Sequence, residues 1–340
     1  MQTTIDKWCR WLLIILEAYL TDYQNEWKGR VIASHGKLVT CLINDVEVNC
    51  EVAGSFFNQE VIDLPTVGDW VFCDRDSDKN GRAIVHRIEE RTSEFSRKVA
   101  GGRLDKQVIA ANIDTIFILM SLNHDLNFSR LLRYVTISKS SGANVEVVLT
   151  KSDLMPEAIW VVEDIKSQSG IEHVHVISVL TNDGMEELKS RIKPEQTIVF
   201  VGSSGVGKST LTNTLLGEEV MSIGGLRNDD RGRHTTTHRQ MLKTESGAWL
   251  IDTPGMREIS FIDQTDGLSE AFSDITELID KCRFNDCSHK NEPGCAINHA
   301  LDSGELSEWR FAEYSKYLKE MAFFESKMRR KLNKDKKNKK

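Results

Sequence analysis

From Gly202 to Ser209 the chain reads GSSGVGKS, between an apolar run at Thr197 to Val201 (TIVFV) and a helix-like segment at Thr210 to Leu216 (TLTNTLL). No other stretch so narrows what the chain can fold into. Glycines at Gly202, Gly205 and Gly207 let the backbone close on an anion, and the following helix offers its positive N-terminal end. A strand, such a loop and a helix in succession make a P-loop. In that arrangement Lys208 reaches the β- and γ-phosphates, and the Ser209 hydroxyl coordinates Mg²⁺. The loop alone does not choose the nucleotide.

The surrounding pattern supplies the sheet that a P-loop needs. Apolar runs at Ile113 to Met120, Val145 to Leu149, Val174 to Ser178, Ile198 to Val201 and Ala248 to Ile251 alternate with helical stretches. Those stretches are Phe128 to Ser138, Pro156 to Ser167, Gly184 to Ile192 and Leu211 to Leu216. Such alternation predicts a mostly parallel sheet covered on both faces, with ligands at the carboxyl ends of its strands. Upstream, between Gly29 and Arg91, five short runs (RVIAS, LVTCLI, VEVNCEV, DWVFCD and AIVHRI) are separated by turn signals. Their spacing predicts a small barrel of OB or SH3-like type. Thr92 to Asp105 reads as a polar connection between the two patterns.

Three further segments stand where the sheet would place a nucleotide. Thr150-Lys151-Ser152-Asp153 follows the run VEVVL and resembles the [N/T]-K-x-D motif with which G proteins read guanine; TKxD is also a good turn and helix start. There the Asp153 carboxylate would accept from guanine N1–H and N2–H₂, a donor pair that adenine lacks, while the Lys151 stem would cover the base. Ser178, closing VHVIS, would begin the loop that touches guanine O6. Asp252-Thr253-Pro254-Gly255 resembles the DxxG switch, in which Asp252 holds Mg²⁺ through water and the Gly255 N–H senses the γ-phosphate. Between loop and switch, Gly232-Arg233-His234-Thr235-Thr236-Thr237 suits a switch segment one of whose threonines completes the Mg²⁺ shell; the choice among the three stays open, with Thr235 and Thr236 as the candidates. The expected GTP site is therefore Thr150, Lys151, Ser152, Asp153, Ser178, Gly202, Ser203, Ser204, Gly205, Val206, Gly207, Lys208, Ser209, Thr210, Asp252 and Gly255.

Downstream, Cys282, Cys287, His289 and Cys295 fall within fourteen residues, a donor set that zinc takes in closed structural sites; reduced thiols without metal are the alternative. The other four cysteines, Cys9, Cys41, Cys50 and Cys73, are scattered. A cluster that includes a histidine points to a reducing, cytoplasmic compartment.

In an ordinary G protein the base-reading motif follows the P-loop and switches. Here it precedes them, so the G domain is circularly permuted. With TKSD, GSSGVGKS, GRHTTTH and DTPG in this order, VGDW upstream and C-x₄-C-x-H-x₅-C downstream, the chain resembles the ribosome small subunit-dependent GTPase A (RsgA) family from about Gly29 onward. The resemblance implies an OB domain, a permuted P-loop GTPase domain and a zinc-binding α domain. It also implies late maturation of the 30S ribosomal subunit, with GTP hydrolysis stimulated by that particle. The expected division is a helical extension over 1–27, the barrel over 28–98, the G domain over 99–262 and the zinc-binding domain with its long helix and basic tail over 263–340.

Phosphoryl transfer needs charge neutralisation and an aligned water. Many G proteins align the water with a glutamine after DxxG; this chain has Met256. His234 is the candidate in its place, the alternative being that His234 or Arg233 contacts RNA. A second reading makes the chain a nucleotide-gated rRNA-binding placeholder whose hydrolysis is incidental. A third, an ATP-dependent enzyme, is disfavoured by Asp153.

The two ends differ in kind. Trp11 to Leu20 (WLLIILEAYL) is too short for a membrane span and lacks a cleavage site, so an amphipathic helix packed on the barrel is expected, with membrane-surface attachment as the alternative. Lys327 to Lys340 holds nine Lys/Arg and one Asp, leaving −15 on the other 326 residues of a chain whose formal charge is −7. This basic tail follows a long amphipathic helix predicted over Glu305 to Met328. It suits contact with rRNA phosphates or is a solvated end. A monomer without stable membrane association is expected.

Overall fold

The computed structural model describes residues 26–58, 63–98, 106–123, 126–155, 158–218, 239–252, 272–290, 292–319 and 322. The N-terminal apolar segment, the GRHTTTH segment with His234, Thr235 and Thr236, the switch residues from Thr253 through Gly255, and the basic tail lie outside the described residues.

The first five strands are β1 (Trp27–His35), β2 (Leu38–Ile43), β3 (Val46–Val52), β4 (Trp70–Cys73) and β5 (Ala83–Ile88). Alternation of buried and open positions along β2 and β3 turns one face inward, as strands with one wet face require. Their order β1-β2-β3-β5-β4, with β4 pairing back onto β1, closes a five-stranded OB-like barrel. The interior is filled by Val31, Val39, Ile43, Val71 and Val85, with Cys41, Cys50 and Cys73 among them. The three cysteines that are scattered in sequence therefore meet inside the barrel.

The expected polar connection is in part a hairpin. Strands β6 (Glu94–Lys98) and β7 (Lys106–Ala111) pair antiparallel around a bulge between Phe95 and Ser96.

The second unit is built on β8 (Thr115–Ser121), β9 (Asn144–Thr150), β10 (Val174–Val176), β11 (Thr197–Val201), β12 (Arg239–Lys243) and β13 (Trp249–Asp252). Strands β10, β9, β8, β11 and β13 run parallel, and β12 is antiparallel to β13. Every residue of β8 and of β11 is buried, because helices cover both faces. One face packs α1 (Phe128–Lys139) and α2 (Ile159–Ser169) through Leu131, Val135, Val161 and Ile165. The other packs α3 (Met185–Arg191) and α4 (Lys208–Leu216) through Met185, Leu188, Leu211 and Leu215.

A C-terminal helical group covers the α1 side. It comprises α5 (Ser273–Asp280), α6 (Ala296–Ser303) and α7 over 308–319, the described part of the predicted long helix. Phe272 stacks with Tyr314 and Tyr317 at ring distances of 5.5 and 5.6 Å. Arg310 ties α7 to Asp274 at 2.8 Å, and the Tyr317 hydroxyl donates to the Ser129 carbonyl of α1 at 3.3 Å. The aromatics of this helix thus serve packing. No helix among the described residues is long and apolar enough to cross a membrane.

Barrel and nucleotide-type sheet are continuous. Strand β1 pairs antiparallel with β12 at Ala33–Gln240 and Ser34–Arg239, making one sheet of eleven strands. The VGDW segment forms the rest of the joint. A Cβ on Gly68 (φ +93°) would sit 2.0 Å from the Ala111 carbonyl oxygen, so only glycine allows that approach. Arg30 crosses to Thr197 Oγ1 at 2.6 Å and to the Asn112 carbonyl at 3.3 Å. The fully buried Asp69 carboxylate accepts from Arg91 Nε at 2.7 Å, Arg91 Nη2 at 2.9 Å and the Thr66 N–H at 2.8 Å. Burial pushes the Asp69 carboxyl above its usual range, and the Arg91 hydrogen bonds oppose that shift.

Removing one partner of a buried ion pair strands the other charge. Arg91→Ala should lower unfolding free energy by about 3–5 kcal/mol in urea denaturation, and Arg91→Ala combined with Asp69→Asn should recover part of the loss.

Candidate functional site

The parallel strands end at one edge, and the described residues of the P-loop and the TKSD segment, with Ser178, fall there. Val201 closes β11, and the chain enters the loop at Gly202 with φ +149°. A Cβ at Gly202 would lie 2.4 Å from the Leu119 carbonyl oxygen on the neighbouring β8. Glycine at this position lets the loop turn out directly over the adjacent strand. Gly205 and Gly207 also hold left-handed φ values, and Gly207 is the residue before α4. Lys208 and Ser209 occupy the first turn of that helix and are half-buried. The Lys208 ammonium donates to the carbonyls of Gly202 and Ser203 at 2.8 and 2.6 Å, which holds the cation over the concave side of the loop. Ser204 and Gly205 form its exposed rim, while Val206 is buried against the second core face.

The TKSD segment lies against this loop. Thr150 ends β9, and its buried hydroxyl donates to the Val206 carbonyl at 2.6 Å. Lys151 adopts a left-handed φ of 61°, and its ammonium donates to the Gly205 carbonyl at 2.8 Å. The aliphatic stem of Lys151 therefore runs beside the loop. Ser152 and Asp153 lie on a single 3₁₀ turn, Ser152–Leu154. That turn is fixed by the Ser152 N–H donating to the Ile177 carbonyl at 3.1 Å. The exposed Asp153 carboxylate accepts from the buried Ser178 hydroxyl at 2.6 Å. Ser178 follows β10, and its N–H donates to the Asp183 carbonyl. Base-type and phosphate-type segments some fifty residues apart are thus joined by two hydrogen bonds.

Asp252 closes β13, where its backbone is paired with Gln240; its side chain, and Gly255 beyond it, lie outside the described residues. So do His234, Thr235 and Thr236. The residues present fit a phosphate and Mg²⁺: a loop opened by left-handed glycines, a cation held at its mouth and a hydroxyl on the first helical turn. Sequence reasoning missed the reach of Lys151 onto the loop, for which the only signal is the long side chain beside a left-handed position.

A second cluster lies in the C-terminal group. The Sγ atoms of Cys282, Cys287 and Cys295 and a ring nitrogen of His289 all fall within 4.8 Å of one another. His289 Nδ1 stands 3.7 Å from Cys282 Sγ and 3.5 Å from Cys295 Sγ. The ligand loop is shaped from within, since the Glu292 carboxylate accepts from the backbone N–H groups of Ser288 at 3.0 Å and Lys290 at 2.9 Å, and also from the Ser288 hydroxyl. Cys295 caps α6 by accepting from the Asn298 N–H at 3.4 Å. Three sulfurs and an imidazole converging on one point fit a tetrahedral Zn²⁺.

The sequence comparisons agree with this geometry. Residues 88–262 match the family model described as RsgA GTPase. "Small ribosomal subunit biogenesis GTPase RsgA 2" of Vibrio vulnificus is 42% identical over 307 residues, covering 89% of this chain and 84% of that protein. "Small ribosomal subunit biogenesis GTPase RsgA" of Methanosarcina acetivorans is 40% identical over 320 residues, covering 94% and 85%. Among solved structures, YjeQ from Thermotoga maritima superposes with a TM-score of 0.65 at 25% identity, over 87% of this chain and 99% of that one. YloQ, described as a circularly permuted GTPase, gives 0.64 at 24% identity over 88% and 96%, and supports the fold.

Gly202→Ala forces a methyl group against the Leu119 carbonyl. We expect a loss of about 1–3 kcal/mol in unfolding free energy and weaker binding of nucleoside diphosphate, read by denaturant titration and equilibrium binding.

Proposed function

Because the chain belongs to the RsgA GTPase family, we propose that it hydrolyses GTP in the late maturation of the 30S ribosomal subunit, with turnover raised by that particle. The relatives' names carry the subunit role. The observation that carries the guanine reading is the hydrogen-bonded joining of Thr150 and Lys151 to the loop at Val206 and Gly205.

Asp153 accepts from guanine N1–H and N2–H₂, held in orientation by Ser178. Lys151 covers one face of the base while anchored to Gly205. The N–H groups from Ser203 to Thr210 wrap the phosphates, and Lys208 exchanges loop carbonyls for β- and γ-oxygens. Ser209, Asp252 and one of Thr235 and Thr236 hold Mg²⁺, which neutralises charge developing on the phosphates. Gly255 senses the γ-phosphate. His234 aligns the attacking water once the subunit orders its segment, filling the role that Met256 cannot. Cys282, Cys287, His289 and Cys295 hold one structural zinc; four protein ligands leave no position for a hydrolytic water.

The division into 28–98, 99–262 and 263–340 follows the same reading, with barrel and zinc-binding groups as the rRNA-facing arms of a cytoplasmic monomer. Strand β1 of the barrel abuts β12, which follows the first switch segment in the chain.

The test is phosphate release from GTP and ATP with and without purified small subunits. We expect GTP to be preferred and turnover to rise by at least about tenfold on adding subunits, a barrier change of about 1.4 kcal/mol. Unchanged turnover, or an equal rate with ATP, contradicts the proposal. His234→Ala should abolish the stimulation while GTP affinity stays; stimulation close to wild type removes His234 from catalysis. Cys295→Ala should lose stoichiometric zinc, as measured by elemental analysis of protein never exposed to chelator.

A further inference from the structure

The barrel interior holds a second group of sulfur ligands unrelated to the C-terminal cluster. Cys41 on β2, Cys50 on β3 and Cys73 on β4 are 0%, 1% and 0% exposed, and their Sγ atoms all lie within 4.8 Å of one another. Cys50 Sγ is 3.9 Å from Cys73 Sγ, and all three thiols are free. Three strands are needed to make this meeting. Cys50 faces Val39 and Cys41 faces Val48 in the β2–β3 ladder, which sets the two on one diagonal of the inner face. Cys73 arrives from the far side, across β5, where Cys50 and Cys73 flank Ala83 and Val85.

A lone buried cysteine is a small apolar filler. Three whose sulfurs point at one another leave a triangle with a common centre. One edge of that triangle is 3.9 Å and none exceeds 4.8 Å; an equilateral triangle of 3.9 Å edge has its centre about 2.3 Å from each corner, the length of a metal–thiolate bond. Zinc in structural sites takes four ligands, whereas among the described residues three donors converge here. Soft thiolate sets select Cu(I), and a d¹⁰ monovalent ion with sulfur ligands accepts threefold planar coordination. The aliphatic wall, with Val31, Val39, Val71 and Val85 buried around the sulfurs, excludes water and with it the oxidation that would turn Cu(I) to Cu(II). Loading of one Cu⁺ releases three thiol protons to solvent and leaves a net charge of −2 on the three thiolates and the ion, with no change in oxidation state at copper or sulfur.

We propose that Cys41, Cys50 and Cys73 form a three-coordinate Cu(I) site inside the barrel, cross-linking β2, β3 and β4. Its consequence is mechanical. The ion ties β3 to β2 and β4, the two strands that pair with β1, the strand through which the barrel joins β12.

The test uses the full-length, zinc-loaded protein, reduced and free of oxygen, titrated with Cu(I) against a chromogenic Cu(I) chelator. We expect one equivalent of copper bound with zinc retained, three sulfur neighbours at about 2.3 Å by X-ray absorption, and a higher melting temperature. Cys50→Ala and Cys73→Ala, small-for-small changes checked for folding by circular dichroism, should each lose the copper and the melting shift. Cys295→Ala should lose zinc and keep copper. Copper that only displaces zinc, or copper retained unchanged in folded Cys50→Ala and Cys73→Ala, overturns the proposal.

Discussion

The nucleotide-type site depends on the joining of two loops. The Thr150 hydroxyl and Lys151 ammonium donate to the carbonyls of Val206 and Gly205, so the segment after β9 and the segment after β11 move as one body. Backbone carbonyls in an exposed glycine-rich loop would otherwise be free to reorient. Charge-assisted and buried hydrogen bonds of this kind are the stronger ones. They fix the distance between the place where a base would be read and the place where phosphates would be held. That distance, more than any single residue, is what a permuted chain has to restore.

Permutation is tolerated because the sheet supplies the geometry. Strands β9 and β10 precede β11 in the chain, yet β8 lies between β9 and β11 and all end at one edge. Any connection order that preserves those neighbours preserves the edge. The relocated termini then become useful. The barrel enters at one side through β1 and Arg30, and the Cys-rich group leaves at the other and packs on α1 through Phe272 and Tyr317. Both units contact the body that carries the site, through a shared ladder on one side and a buried aromatic cluster on the other.

Much of this was legible in the sequence, for a physical reason in each case. Buried parallel strands announce themselves as unbroken apolar runs, so β8 through β11 were found nearly to their ends, and the barrel strands followed from their period of two. The loop was legible because left-handed positions at Gly202, Gly205 and Gly207 demand glycine. The β6–β7 hairpin and β12 were not, being short and without a regular period, with pairing rather than composition to define them. The cysteines of the barrel were also illegible: Cys41, Cys50 and Cys73 share no spacing, because the closure of β4 onto β1 brings them together. The same holds for Arg91, whose partner Asp69 lies in VGDW.

The central claim is that Asp153, from a segment preceding the phosphate loop in the chain, reads the base of the nucleotide held by that loop. Equilibrium binding of GDP and of xanthosine diphosphate to Asp153→Asn tests it most directly. An asparagine amide offers a donor where the carboxylate offered an acceptor, and xanthine offers a carbonyl where guanine carries its amino group. If Asp153 reads the base, GDP affinity falls by at least about a hundredfold, some 2.7 kcal/mol, while xanthosine diphosphate binding appears. GDP affinity equal to that of the unaltered protein would contradict it.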